Sequence, residues 1–213
     1  MKFLIDGSSK RIKFRREQAD EIIAGQLLTP LTGYKKCEEV FGVDNGGFSG
    51  AKPEAFSRIL KRQFEHRDNC LFAAVPDKVG DHKDTASMWE DYQHLADGYK
   101  KAFVVQDGFD EWPKNADGIF IGGSTEFKDS YEVEQIVKSA LDSKMHVHIG
   151  RVNTFDRFYH FHRLGAHTCD GSGISMYDFM IEKLYRLYRT ASKNNVAWHS
   201  KKSEVRSQIG FEF

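Results

Sequence analysis

The sequence predicts an α/β protein, a short (β/α)8 barrel of the TIM type, and three observations lead to this fold class. Short apolar runs alternate with amphipathic stretches of helical period along the chain. Each apolar run ends in Asp, Gln or a glycine turn, as strands do at the mouth of a barrel. The 213 residues contain no repeat, low-complexity tract or linker, so residues 1–213 are expected to form a single domain. An open doubly wound sheet is the alternative fold.

Six short apolar runs, each followed by turn residues, are predicted to be buried parallel strands. They are Val40–Val43, Leu71–Val75, Ala102–Val105, Gly118–Ile121, Val147–Ile149 and Ala166–Cys169. Two further strands are needed to close a barrel. Leu27–Leu31, or Phe3–Ile5 in its place, is the candidate before the six, and Val196–Trp198 is the candidate after them.

The stretches between these runs have the apolar spacing of amphipathic helices. The predicted helices are Glu54–His66, Thr85–Lys100, Tyr131–Ser143 and Tyr177–Lys193. Because strands and helices alternate, the crossovers are expected to be right-handed and the sheet parallel.

Composition narrows the class of protein and its compartment. The three cysteines, Cys37, Cys70 and Cys169, are too few and too far apart for a disulfide framework or a CxxC-type zinc site. They are typical of a reducing compartment, so we expect the cytoplasm. No stretch approaches the roughly 20 apolar residues of a membrane span, and the first residues lack the apolar run of a signal peptide. We therefore expect no membrane partner.

Charge is balanced overall, with 31 basic and 31 acidic residues, but it is unevenly distributed. The middle of the chain is acidic and both ends are basic. The candidate nucleic-acid-binding residues are Lys10, Arg11, Lys13, Arg15 and Arg16 at one end, and Arg186, Arg189, Lys201 and Lys202 at the other. Such clusters are either solvated surface or patches that bind the phosphates of a polyanion.

Asp44 and Asp170 follow two well-separated strands, so a closed barrel would direct both side chains to its mouth. Two carboxylates that flank a ligand suit cleavage at a sugar anomeric carbon, with one as nucleophile and the other as acid and base. The alternative is that each aspartate only caps the helix that follows it. The pair Gly122-Gly123 would let the backbone approach a flat ligand or a phosphate.

Six motifs occur in the order DNGGF, VPD, VVQDG, IFIGGST, VHIGRVN and GAHTCDG, between residues 40 and 173. In order and spacing they resemble the tRNA-guanine transglycosylase family. IFIGGSTEFK and VHIGRVN are most similar to the branch, known from bacterial islands and phages, that inserts 7-deazaguanine bases into DNA. The resemblance implies a glycosyltransferase that replaces guanine in DNA by a preQ0-type 7-deazaguanine derivative, without a cofactor. If a phage encodes the protein, the compartment is the host cytoplasm.

The resemblance also implies residue roles. Asp170 matches the nucleophile that forms a covalent bond to the sugar, and Asp44 matches the residue that handles the proton of the departing and arriving bases. Phe48 matches the aromatic residue that stacks on the base, and Asp77 the carboxylate that reads its Watson–Crick edge. The remaining substrate-binding candidates are Gln106, Gly122, Gly123, Gly150 and Arg151. Asp81 and Asp107 are nearby acids that compete with Asp77 for its role.

Departures from the family favour DNA over RNA as the partner, beside a free 7-deazapurine base. The chain has no CxCxxC zinc motif after the barrel and no Pro-Thr-Arg segment after the nucleophile. Three alternatives stay open: a tRNA-guanine transglycosylase, a metal-dependent barrel hydrolase that uses His146, His148 and Asp170, and a non-catalytic nucleic-acid binder. The favoured function needs no metal. Helper proteins and a homo-oligomer also stay open.

Overall fold

The fold is a closed barrel of eight parallel strands in chain order. The computed structural model describes residues 1–194 except residues 32 and 34. The strands are β1 (Lys2–Asp6), β2 (Ile23–Leu28), β3 (Phe41–Val43), β4 (Cys70–Ala74), β5 (Lys101–Val105), β6 (Gly118–Ile121), β7 (His146–Ile149) and β8 (Thr168–Cys169). Pairing of Lys2 with Thr168 and of Phe3 with Cys169 joins β1 to β8 and closes the barrel. The predicted (β/α)8 fold is therefore confirmed, and the open-sheet alternative is wrong.

All six predicted strands are present, and the two missing ones both precede them. Phe3–Ile5 lies in β1, and Leu27 and Leu28 end β2, so the two segments treated as alternatives are separate strands. The predicted Leu27–Leu31 strand therefore ends sooner than expected. Val196–Trp198 lies outside the described residues, and the barrel closes without it.

The helices of the described chain surround the barrel. They are α1 (Ser9–Ala19), α2 (Pro53–Gln63), α3 (His82–Tyr92), α4 (Thr125–Lys128), α5 (Tyr131–Asp142), α6 (Phe155–Leu164), α7 (Ser172–Met176) and α8 (Asp178–Asn194). The four predicted helices correspond to α2, α3, α5 and α8. Within the described residues, none of these helices has the length and apolar character needed to cross a bilayer.

Aromatic and imidazole rings fill the inside of the barrel below the mouth. The Phe72 ring centroid lies 4.5 Å from that of His148 and 5.6 Å from that of His146. Phe120 contacts His148 from another side at 4.6 Å. Gly42 leaves room for Phe72, since a Cβ at Gly42 would lie 2.8 Å from that ring. The barrel is thus a packed core, and ligands have access only to its ends.

Arg15 connects α1 to the last two helices of the described chain. Its side chain is 1% exposed, and its guanidinium donates to the carbonyls of Ile174 and Ser175 at 3.2 and 3.1 Å. The same group forms an ion pair of 2.5 Å with Asp178. The prediction that Arg15 binds nucleic acid is therefore wrong, because its charge is buried and already paired.

Candidate active site

The polar residues that follow the strands converge on one pocket at the carboxyl end of the barrel. Its polar lining consists of Asp44, Asn45, Asp77, Gln106, Gly122, Gly123, Lys128, Arg151 and Asp170. Ala74, Val79, Val104 and Phe120 add apolar surface, and Phe48 stands at the rim. The cavity between these residues is small, about 70 Å³, and it opens to solvent. The structure therefore brings together the predicted site residues, except Gly150 and the basic ends.

Gly150 supports the pocket from below. A Cβ at this position would lie 2.6 Å from the Phe120 ring and 3.2 Å from the Ile121 carbonyl oxygen. Any side chain would displace Phe120, which lines the pocket. Gly150 therefore acts by packing, and its predicted contact with substrate is not part of the geometry.

Asp170 is held at both carboxylate oxygens. Directly after β8, its backbone N–H donates to the Ile149 carbonyl at 3.2 Å. One carboxylate oxygen accepts from the backbone N–H of Arg151 at 3.1 Å, and the other lies 3.1 Å from Nε2 of His148. Arg151 has a positive φ of 58°, which costs a non-glycine residue about 1 kcal/mol. This strained turn directs the Arg151 amide at the carboxylate and fixes its orientation.

A chain of hydrogen bonds continues from Asp170 into the barrel. Nδ1 of His148 and Nε2 of His146 both lie 2.9 Å from the Thr168 hydroxyl. Burial lowers the pKa of both histidines, that of His146 to about 3, so both rings are neutral near pH 7. If His148 donates to Asp170 through Nε2, its Nδ1 must accept from the Thr168 hydroxyl, whose oxygen then accepts from His146. The direction of the whole chain thus follows from the tautomer of His148.

This chain also bears on the metal-dependent alternative. His146 and His148 do share one face of β7, as the sequence predicts, but both ring nitrogens of His148 have protein partners. Among residues 1–194, apart from 32 and 34, no three His, Cys, Asp or Glu side chains are arranged to hold a metal ion. The described geometry therefore supplies no ligand set for that hydrolase.

Asp44 is suited to carry a proton. One of its oxygens accepts from the backbone N–H of Gly46 at 2.7 Å. Burial raises the pKa of Asp44 to about 7, and the negative charges of Asp170, Asp77 and Asp6 add to the effect. Sequence reasoning did not single out Asp6, although it directly follows Phe3–Ile5, one of the two candidate first strands. A carboxyl group with a pKa near 7 can give and accept a proton at neutral pH.

Asp77 sits in a network of amides. Its two oxygens accept from Nδ2 of Asn45 at 2.8 Å and from Nε2 of Gln106 at 2.6 Å. The amide oxygen of Gln106 accepts from the N–H of Gly80 at 2.9 Å, so the orientation of this side chain is fixed. Burial raises the pKa of Asp77. Asn45 is a contact that the sequence reading missed, although it stands second in the DNGGF motif.

The two acids that compete with Asp77 have structural roles. Asp81 caps α3 by accepting from the N–H of Asp84 at 3.0 Å. Asp107 accepts from the N–H and the hydroxyl of Ser124 at 2.8 and 2.6 Å. Neither residue lines the pocket, so Asp77 remains the candidate reader of a ligand edge.

The rim of the pocket carries an aromatic ring under a cation. Phe48 is 68% exposed, and the guanidinium carbon of Arg151 lies 4.4 Å from the centre of its ring. The Arg151 guanidinium also donates to the Gly123 carbonyl. An exposed aromatic face at a pocket mouth suits stacking on a flat ligand. Arg151 already occupies part of that face by a cation–π contact.

Lys128 is a pocket residue that sequence reasoning missed. Ser124 caps the single turn of α4 by accepting from the Phe127 N–H at 3.1 Å, and this turn directs Lys128 into the pocket. The side chain is 2% exposed. Burial, together with the charge of Arg151, lowers the pKa of Lys128 to about 7, and the charge of Asp170 opposes this change. The signal in the sequence was a single lysine five residues after the glycine pair, which is weak evidence alone.

The predicted basic patches lie at opposite ends of the barrel. Lys10 and Lys13 are exposed and Arg11 is half-buried in the first turns of α1, which starts just after the mouth end of β1. Arg186 and Arg189 are exposed in the second half of α8. That half lies beside the amino end of the barrel, as a hydrogen bond of 2.9 Å between Tyr185 and Glu21, just before β2, indicates.

Arg16 contributes little to either patch. Arg16 forms ion pairs with Asp20 and Glu38, so its charge is already compensated. Lys201 and Lys202 lie outside the described residues. The patch beside the pocket is therefore made by Lys10, Arg11 and Lys13.

Comparison with known proteins adds little to this description. Neither protein-family models nor curated protein sequences match the chain. Among solved structures, it is similar to a PaMucR phosphodiesterase in complex with c-di-GMP, with 13% identity and a TM-score of 0.35 over 63% of this chain and 60% of that one. It is also similar to 3-hexulose-6-phosphate synthase, with 9% identity and a TM-score of 0.37 over 86% and 99% of the two chains. Likenesses this distant do not bear on function. The class of protein is defined by its own strand pairing, as a (β/α)8 barrel with an acidic pocket at its mouth.

Proposed function

We propose that this protein is a base-exchange transglycosylase that replaces guanine in DNA by a preQ0-type 7-deazaguanine derivative. One observation carries the proposal: the family-matched aspartates Asp44, Asp77 and Asp170 line a single pocket, with Phe48 at its rim. A nucleophile, a proton carrier, an edge reader and a stacking face are the four groups that such a reaction needs.

The reaction proceeds in two displacements with one nucleophile. Asp170 attacks the anomeric carbon of the deoxyguanosine, a C–O bond forms, and the C–N bond to guanine breaks. Asp44 gives its proton to the departing base. The incoming base then loses the proton of its ring nitrogen to Asp44, its nitrogen attacks the same carbon, and Asp170 leaves as a carboxylate. Atoms and charge balance without a cofactor, in agreement with the expectation from sequence.

The environments of the two aspartates fit these roles. Asp170 has both oxygens held in place, one by the Arg151 N–H and the other by contact with Nε2 of His148. Asp44, with its raised pKa, retains a proton near neutral pH. Separation of the two functions by environment is the usual way in which a pair of carboxylates divides acid and nucleophile work.

Base recognition would use the amide network. A guanine-type ring presents an N–H and an exocyclic amine along one edge, and the Asp77 carboxylate accepts both kinds of donor. Binding then replaces the Asn45 and Gln106 bonds to Asp77 by bonds to the base. The freed Gln106 amide becomes available for the base carbonyl.

The test is base exchange on DNA. Purified protein is incubated with duplex DNA and 7-cyano-7-deazaguanine, and the nucleosides are then analysed by mass spectrometry. We expect a 7-deazaguanine deoxynucleoside from the wild type and none from Asp170→Asn, because an amide is a poor nucleophile. With the incoming base withheld, a covalent protein–DNA adduct is expected in the wild type alone.

The same assay with tRNA as substrate separates the two nucleic acids. Product in tRNA alone would make the protein a tRNA transglycosylase, contrary to our proposal. Full activity of Asp170→Asn would remove the nucleophile assignment. Circular dichroism of the variant checks that its fold is intact.

A further inference from the structure

Lys128 is a buried cation whose role the exchange reaction leaves open. Its side chain is 2% exposed and lines the pocket. It forms no side-chain hydrogen bond or ion pair with any residue that the structure describes. Its Nζ is not among the fully buried side-chain atoms that lack a partner, which places the ammonium at the surface of the pocket. An ammonium that faces a pocket in this way can donate hydrogen bonds to an acceptor on a ligand.

We propose that Lys128 determines which base enters, by binding a hydrogen-bond acceptor on the substituent of the incoming 7-deazapurine. The substituent would be uncharged or anionic, such as a nitrile, an amide or a carboxylate. A base with a cationic substituent would be rejected. This inference rests on the proposed function, since it names the substrate class of the same site.

The positions of the pocket residues around the barrel give the reason. Asp77 follows β4 and Gln106 follows β5, so the candidate edge reader occupies one wall. Lys128 and Arg151 follow β6 and β7 and form the next part of the wall, toward Asp170 after β8. A purine whose donor edge meets Asp77 and whose sugar reaches Asp170 therefore directs its five-membered ring toward Lys128. That ring is where a 7-deazaguanine carries its substituent.

The charges around Lys128 explain its selectivity. Arg151 and Arg157 repel a cation at this position, while Asp170 and Asp107 attract it. Asp107 already accepts two bonds from Ser124, and Asp170 accepts from Arg151 and contacts His148. An acceptor on the ligand would give Lys128 the partner that these acids do not provide. A second ammonium on the ligand would face Lys128 and Arg151, the two cations that line the pocket.

The test measures binding of free bases by calorimetry, apart from any exchange. The probes are 7-cyano-7-deazaguanine and 7-aminomethyl-7-deazaguanine, with wild type, Lys128→Met and Lys138→Met. Lys138 is an exposed lysine on α5 and serves as the matched control. We expect the wild type to prefer the cyano base, and Lys128→Met to lose about ten- to a hundredfold of that affinity. Lys138→Met should behave as wild type.

Each other outcome overturns the inference. An unchanged preference in a folded Lys128→Met protein, with normal circular dichroism, means that the lysine does not read the substituent. If Lys128→Met binds both bases normally but holds DNA less tightly, the ammonium binds a phosphate instead. If the wild type exchanges guanine but prefers the aminomethyl base, only this inference fails. If no base binds or exchanges, the proposed function fails with it.

Discussion

At the scale of single residues, the same side chain has different chemistry in different surroundings. Asp44 and Asp170 line one pocket in different surroundings, and burial with nearby carboxylates raises the pKa of Asp44 to about 7. Asp170 accepts a backbone N–H of Arg151 and contacts a neutral histidine. Their separate roles therefore depend on partners from three other strands and loops, which a linear motif does not specify.

The raised pKa of Asp44 makes protein stability depend on pH. Below about pH 4 the carboxyl is neutral in both the folded and the unfolded chain, so it costs nothing. As pH rises toward 7 the unfolded chain loses this proton first, and the folded state is destabilised by up to about 4 kcal/mol. We expect Asp44→Asn to remove this loss, since an amide oxygen can still accept from Gly46. Urea denaturation of both proteins at pH 5 and pH 8 measures it.

A gain that is equal at pH 5 and pH 8 would show that the substitution acts by packing alone. The same substitution should lower the rate of base exchange while it raises the stability of the fold. The asparagine variant cannot carry the proton, so base exchange should fall by about a hundredfold or more.

His148 positions Asp170 without touching substrate. Replacement by phenylalanine keeps a ring against Phe72 and removes the bond to the carboxylate. We expect kcat to fall by about ten- to a hundredfold with KM for DNA little changed, because the nucleophile loses its orientation. His148→Gln, which retains a donor, should recover part of the rate. An equal fall for both variants, together with a lower melting temperature, would indicate a structural role only.

The sequence predicts most of the pocket, because polar residues that follow parallel strands must meet at one end of the barrel. Asp44, Asp77, Gln106 and Asp170 were found in this way. Lys128 was not, since it lies one helical turn beyond its strand, where position alone does not indicate direction. Asn45 was hidden beside a more prominent aspartate.

At the scale of elements, α1 shows how a buried arginine can be mistaken for a surface charge. The segment of Ser9–Ala19 has five cations, and this hides its short apolar face of Ile12 and Ala19. One of the cations, Arg15, belongs to that face because it joins α1 to α7 and α8. Periodicity in apolar residues alone therefore missed the helix.

Replacing Arg15 by methionine tests this structural role. The carbonyls of Ile174 and Ser175 lose their donors, and we expect the free energy of unfolding to fall by about 2 kcal/mol. Lys13→Met, on an exposed position of the same helix, is the control and should change it little. Denaturant titration of both variants measures these changes in the free energy of unfolding. Reduced DNA binding in Arg15→Met with unchanged stability would restore it as a nucleic-acid contact.

At the scale of the molecule, the two basic patches are no longer equivalent. Lys10 and Lys13 lie in the first half of α1, at the mouth end of the barrel, whereas Arg186 and Arg189 lie toward the other end. A DNA strand that presents a base to the pocket passes near the first pair. The acidic mouth itself would repel phosphates, so Lys10 and Lys13 are expected to bind the phosphates of the DNA.

Neutralising the charges of each pair in turn shows which of the two pairs contacts DNA. We expect Lys10→Gln with Lys13→Gln to weaken DNA binding and to lower its salt dependence by about two units of slope. Arg186→Gln with Arg189→Gln should leave both unchanged. Fluorescence anisotropy over a range of salt concentrations gives the slopes. An equal effect of the two double variants would mean that DNA also contacts the far end.

The closure of the barrel has a consequence for the synthesis of the protein on the ribosome. The first strand, β1, pairs with β8, a strand of two residues that is synthesised last among the described strands. Asp170 directly follows β8. Until then the nascent chain has an open sheet edge, which is prone to pair with other chains. It also lacks Asp170, the proposed nucleophile. An incomplete chain can therefore aggregate but cannot attack a nucleic acid, and the proposed reactivity appears only in a chain able to close.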